Sequence, residues 1–320
     1  MTSSLRTSPF RTALRGSPEL TGFAAVMAIL ALVCAAGLLA DDRTVLGQPV
    51  WLKPLKFAVS LMVYGFTLAW LLAYLRRGRR VARVAAVVIV VNAVAEVGII
   101  VFQAARGRPS HFNEATPLDE VLWRAMGATI MVLWLATVVL TVLLWRDGMP
   151  DRAGSWAVRL GMLLLLLGLL QGFTMVIPTA EQIALDEQGV QTLLGAHAVG
   201  VADGGPGMPL TGWSTTGGDL RIGHFVGIHG LQAMLLFLMA LPVAAGAARR
   251  ARLVFVFAYA YAGLLVLVTW QALRGQPLTD PDTATLAAFG VLAGTTALGA
   301  LAAWRRPVPA AGAALADQGF

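Results

Sequence analysis

Eight apolar runs, at residues 20–40, 54–75, 83–104, 121–145, 157–178, 223–246, 252–272 and 284–304, dictate the solvent in which this chain folds. Each is close to the roughly 20 residues that an α-helix needs to cross a bilayer. In lipid every backbone N–H and C=O must be satisfied within its own segment, so each run predicts a helix. The 320 residues are 58% hydrophobic and only 13% charged, far from the balance of a water-soluble domain. The expected fold class is an all-α membrane protein with eight transmembrane helices, and the lipid bilayer is its first partner.

A net charge of +7 does not point to nucleic acid here, because the basic residues sit in short clusters beside the runs. Arg6, Arg11 and Arg15 precede the first run; Arg76, Arg77, Arg79, Arg80 and Arg83 separate the second and third. Arg146 and Arg152 follow the fourth, Arg249, Arg250 and Arg252 the sixth, and Arg305 and Arg306 the eighth. All fall on one side of an eight-span chain, which the positive-inside rule makes the cytoplasm, with both termini inside. The first run exceeds the roughly 7 to 15 residues of a signal-peptide core and reads as an anchor. Cys34, the only cysteine, lies within it, so no intramolecular disulfide staples the outer loops.

The sequence also matches itself. QAARGRP at 103–109 aligns with QALRGQP at 271–277, and the same offset of 168 lays KPLKF at 53–57 on RIGHF at 221–225. Two matches at one offset predict a duplication. The expected layout is a cytoplasmic tail at 1–19, a four-helix repeat at 20–145, a second at 146–304 and a tail at 305–320. Four spans per unit make the repeats parallel. The second half carries a long outer loop, 179–222, rich in Gly and Pro; its first part predicts a short helix and its second part successive turns.

Lys53 and Lys56 are the only lysines beside twenty-two arginines, and both lie at the outer end of the second span. An ammonium and a guanidinium are not interchangeable, so this placement singles them out. Glu96, within the third span, is a buried acid in need of a partner, and Lys56 is the expected one. All four histidines, His111, His197, His224 and His229, fall on the outer side, with Glu114, Asp119, Asp203 and Asp219 nearby. Imidazole with carboxylate is the ligand chemistry of zinc, iron or copper. The expected metal set is His111, His197, His224, His229 and Asp203. On one straight helix His224 and His229 point about 140° apart, so their convergence requires a distorted turn near Gly223 and Gly227. Gln232 shares a face with His229. Lys53, Lys56, Arg221 and Gln232 are the expected substrate-binding groups, with Glu96 and His229 as acid–base candidates. Arg106 and Arg274, related by the repeat, cap spans at the outer interface.

The stretches WLKPLKFAVS, QAARGRPSHFN, GAHAVGVADGGPGMPLTGWS and GDLRIGHF together resemble a bacterial family of uncharacterised polytopic membrane proteins. The resemblance covers most of the chain and implies a bacterial cytoplasmic membrane, but no activity. The layout of two four-span halves is similar to heme A synthase, where paired histidines near the outer side hold heme. That similarity implies heme b at His224 and His229. Spans 2, 4 and 8 hold no histidine, which leaves room for one such site in the second half only.

Two functions follow. One is a metal or heme site acting in membrane redox or hydrolytic chemistry on a small or lipid-soluble substrate, with the Gly-rich loop as a lid. The other is a small-solute transporter with a coupling site at Glu96, Lys56 and His229.

Overall fold

Capping chemistry sets most of the helix ends. Ser17 caps α2 (Pro18–Ala40) by accepting from the Leu20 N–H, and Thr116 caps α5 (Pro117–Asp147) by accepting from Asp119. Asp151 and Asp282 do the same for α6 (Arg152–Gln171) and α11 (Thr283–Arg305). Between these lie α3 (Leu52–Leu72), α4 (Arg79–Ala105) and α10 (Ala247–Leu273). These seven helices are long and apolar enough to cross a membrane, and α8 (Leu220–Ile228) with α9 (Gly230–Ala240) makes an eighth if the bent pair is one span. The computed structural model describes residues 8–189 and 193–307. The outer parts of both expected tails, 1–7 and 308–320, lie outside them.

Two short helices and two ribbons complete the helical set and its connections. Helix α1 (Pro9–Gly16) lies against α3, so close that a Cβ on Gly16 would stand 1.9 Å from the Ala69 carbonyl oxygen. Helix α7 (Ala180–Glu187) forms in the first part of the long loop, as its sequence predicts. Two ribbons, β1 (Thr44–Val45) with β2 (Gln48–Pro49) and β3 (Ala198–Val199) with β4 (Gly218–Asp219), lead into α3 and α8.

Helix α2 packs on α3, α4 on α5, α6 on α8 and α9, and α10 on α6, α8 and α11; α5 against α6 joins the two groups. The main core gathers Leu68 and Leu71 of α3, Ile89 of α4, Leu140 of α5, Met162 and Leu165 of α6 and Leu231 of α9. Helix bounds recur at the offset seen in the sequence: α3 and α8 begin at 52 and 220, and α4 and α10 span 79–105 and 247–273. Gly78 and Gly246, each preceding one of the latter two, both have positive φ (72° and 78°).

Two expected spans differ. The fifth stops being α-helical at Gln171 and continues as a 3-10 turn, Gly172–Val176, instead of running to 178. The sixth is not one helix over 223–246: it bends by 49° at His229 and ends at Ala240, two residues before Pro242, which disfavours helix just ahead of it. The bend lies where α6 crosses. A Cβ on Gly168 would meet the Gly227 carbonyl carbon at 2.2 Å, so the two backbones touch. The Val226 carbonyl, which a straight helix would give to the Gly230 N–H, accepts from Tyr261 Oη at 2.7 Å.

Candidate functional site

The four histidines, both lysines, Glu96 and Arg221 all lie toward one end of the bundle, opposite the end that carries the arginine clusters between helices. Two loops interlock over this site end. The Leu194 N–H donates to the Phe112 carbonyl, the Ala196 N–H to Met175 and the Leu220 N–H to His197. Phe112 sits at φ +60°, a left-handed conformation uncommon for an aromatic residue, and is only 2% exposed. Its ring touches those of Trp123 and His197, both at 5.0 Å between centroids, and His111 packs on Trp123 at 5.6 Å.

Asp203 organises the loop segment around it. It accepts from the backbone of His197 and Ala198 and from His197 Nδ1 at 2.7 Å. A carboxylate is an acceptor, so Nδ1 carries the proton and Nε2 is the free lone pair. Burial pushes the Asp203 carboxyl up, but the hydrogen bonds from the His197 ring and from the two backbone N–H donors hold it down to about 2. Burial lowers His197, with Asp203 opposing, and it holds His111 well below the ordinary imidazole range. Both rings are therefore neutral bases at pH 7.

His111 Nδ1 lies 3.1 Å from Ser110 Oγ, and its Nε2 is 3.9 Å from Glu96 Oε1. Glu96 is 5% exposed, and its other oxygen accepts from Thr129 Oγ1 at 3.2 Å. The expected Lys56 to Glu96 pair does not form. Lys56 Nζ instead donates to the Thr211 carbonyl at 2.8 Å, and the lysine within electrostatic reach of Glu96 is Lys53. Arg221 is also engaged, donating through Nε to Asp219 at 2.9 Å and through Nη2 to the Gly212 carbonyl at 2.6 Å. Among the described residues Lys53 has no hydrogen bond and no ion pair. It sits within electrostatic reach of Glu96, Asp203, Arg221, His111 and His197. Of the four groups expected to bind substrate, Lys53 is the one whose charge is uncommitted.

The expected metal set is divided among different partners. His224 Nδ1 donates to the Gly168 carbonyl at 2.7 Å, while His229 Nε2 meets Ser60 Oγ at 3.3 Å and its ring packs on Phe225 at 4.5 Å. No three His, Cys, Asp or Glu among the described residues stand together as a metal-holding group. His111, His197, His224, His229 and Asp203 thus do not fit one ion as arranged. The two imidazoles expected to share heme b engage different helices, α6 and α3. Gln232 is not at the lysines; its Nε2 reaches Thr67 Oγ1 of α3 at 3.5 Å.

The chain matches no family model, no curated protein and no solved structure. The geometry alone speaks for the site. Three of its members escaped the sequence reading. Thr129 sits in an apolar span with no local signal. Ser60 was legible, four residues after Lys56 on the same helical face, as was Thr67, seven further on.

Proposed function

We propose that this polytopic membrane protein binds the anionic group of a small or lipid-soluble substrate beside Lys53 and performs acid–base hydrolysis on it. The observation that carries this reading is the Lys53 side chain, which has no hydrogen bond or ion pair among the described residues and lies within electrostatic reach of a His197–Asp203 pair whose Nε2 is free. In the step envisaged, His197 Nε2 takes the proton of a water whose oxygen attacks the substrate. The bond to the leaving group breaks, and the imidazolium returns the proton to it. Asp203 orients the ring and stabilises its charged form, and Lys53 offsets negative charge developing on the substrate. His111 with Glu96 is a second acid–base pair within electrostatic reach of Lys53.

The shared offset of helix bounds supports two parallel four-helix repeats, 20–145 and 146–304, with the site at their junction. The arginine clusters support a bacterial cytoplasmic membrane with that end and both termini inside.

The test is titration of the purified protein with inorganic phosphate and acetate, read by tryptophan fluorescence from Trp123 and Trp213, with an absorption spectrum and elemental analysis. Saturable binding lost in Lys53→Met supports the reading. Stoichiometric metal lost in His197→Ala, or a Soret band lost in His224→Ala, would replace it with cofactor chemistry. The transport reading, with coupling at Glu96, Lys56 and His229, is favoured by the bond that joins Ser60 to His229 across the two halves.

A further inference from the structure

The face of α3 that carries Lys53 and Lys56 continues through Ser60 and Thr67 to Trp70, at helical spacing, with Tyr74 in the turn just past the helix end. The 20 residues from Lys53 to Leu72, where α3 ends, correspond to about 30 Å of helix, the thickness of a bilayer's hydrocarbon core. Facing it are His229, Gln232, Leu235 and Met239 of the bent pair. Two polar rungs cross this seam: Ser60 Oγ with His229 Nε2 at 3.3 Å, and Gln232 Nε2 to Thr67 Oγ1 at 3.5 Å. One turn beyond the second rung, Trp70, Tyr74, Leu235, Met239 and Asp151 line a cavity of about 240 Å³ at the arginine-rich end. At the midpoint, Gln232 interacts with the His229 side chain, and its Oε1 is buried with no partner at full hydrogen-bond geometry.

Ionisable groups at this depth, such as His229, are costly in lipid and mark ion or proton pathways. The rungs are single hydroxyl, imidazole and amide contacts, a cross-section suited to a proton and not to a solute. We infer that the α3/α8–α9 seam conducts protons between the lysine end and the arginine-rich cavity, with His229 as the group that binds and releases each proton. Ser60, Gln232 and Thr67 provide hydrogen-bonding positions on either side of it. Around His229, α8 contributes the titratable His224 and α3 contributes Lys56 one turn above Ser60; α9 faces it with the neutral Gln232. The inference stands on the seam and not on the ligand at Lys53, so either can fail without the other.

The test uses the full chain in phosphatidylcholine–phosphatidylglycerol liposomes loaded with a pH-sensitive dye, with a valinomycin-clamped potassium gradient as the driving force. The wild type should acidify the lumen at least fivefold faster than protein-free vesicles, with His229→Phe and Gln232→Leu both falling to that baseline. Gln232→Leu should keep the phosphate titration at Lys53. A wild type no faster than empty vesicles, or variants at the wild-type rate, would overturn the inference. Should His229→Phe fail to fold, Gln232→Leu carries the test alone.

Discussion

Lys56 and Thr211 stand 155 positions apart in the chain, yet Lys56 Nζ donates to the Thr211 carbonyl at 2.8 Å. The lysine is a clasp between α3 and the loop that precedes α8. Lys56→Met removes a charged donor from a half-buried carbonyl and should cost about 1–3 kcal/mol. Amide exchange across 204–213 should rise at least tenfold while exchange in α3 is unchanged. An unaltered loop would show that the bond does not hold it.

Arg106 and Arg274 occupy matching positions but differ in what they hold. Arg106 pairs with Asp119, which is fully buried and also accepts from Gln103 Nε2 at 2.8 Å; Arg274 pairs with Asp282, whose side chain is 39% exposed. Removing Arg106 strands a buried charge, so Arg106→Ala should cost about 3–5 kcal/mol. Arg274→Ala should cost less than about 1 kcal/mol, as for an exposed pair. Thermal unfolding in detergent compares them directly, and equal losses would contradict the assignment.

His197 and His111 are held neutral, with pKa values below that of the unfolded chain. Their contribution to stability is complete above the unfolded value of about 6.5 and is lost as pH falls toward their folded values. Asp203, held at about 2, contributes above the unfolded carboxyl value of about 3.9, and that share is lost as pH falls through its folded value. The melting temperature should therefore fall from pH 7 to pH 5. Asp203→Asn should lower stability at pH 7 by about 1.5–3 kcal/mol, the worth of hydrogen bonds from neutral donors to a charged acceptor. Melting curves that do not move between pH 7 and 5 would argue against neutral buried rings.

The crossing of α6 with the bent pair leaves no room for a side chain. Gly168→Ala puts a Cβ 2.2 Å from the Gly227 carbonyl carbon, so the helices must separate. A loss of at least about 3 kcal/mol is expected, at the upper end of overpacking costs. Tyr261→Phe removes only the hydroxyl that satisfies the Val226 carbonyl and should cost about 1 kcal/mol. A Gly168→Ala protein that melts like the wild type would remove the crossing as the reason for the bend.

The helices were legible because lipid leaves an apolar run of 20 residues one way to satisfy its backbone. Four helix starts follow the 168-residue offset, α3 and α8 at 52 and 220 and α4 and α10 at 79 and 247. The bend at His229 was half legible: Gly223 and Gly227 signalled a weak turn, but the cause is Gly168 on another helix. Pairing was the least legible. Lys56 was matched to Glu96 by depth alone, whereas its partner is a backbone carbonyl in a loop that carries no sequence mark for that role. The metal set was assembled from residue type and side, and imidazole orientation, fixed by Gly168, Asp203 and Ser60, is invisible before folding.

The central claim is that Lys53 is an uncommitted cation awaiting an anion. Isothermal titration of the wild type, Lys53→Met and Lys56→Met with inorganic phosphate tests it most directly. Saturable wild-type binding, weakened at least tenfold in Lys53→Met and less than threefold in Lys56→Met, is the predicted result. Equal affinity in the wild type and Lys53→Met would contradict it.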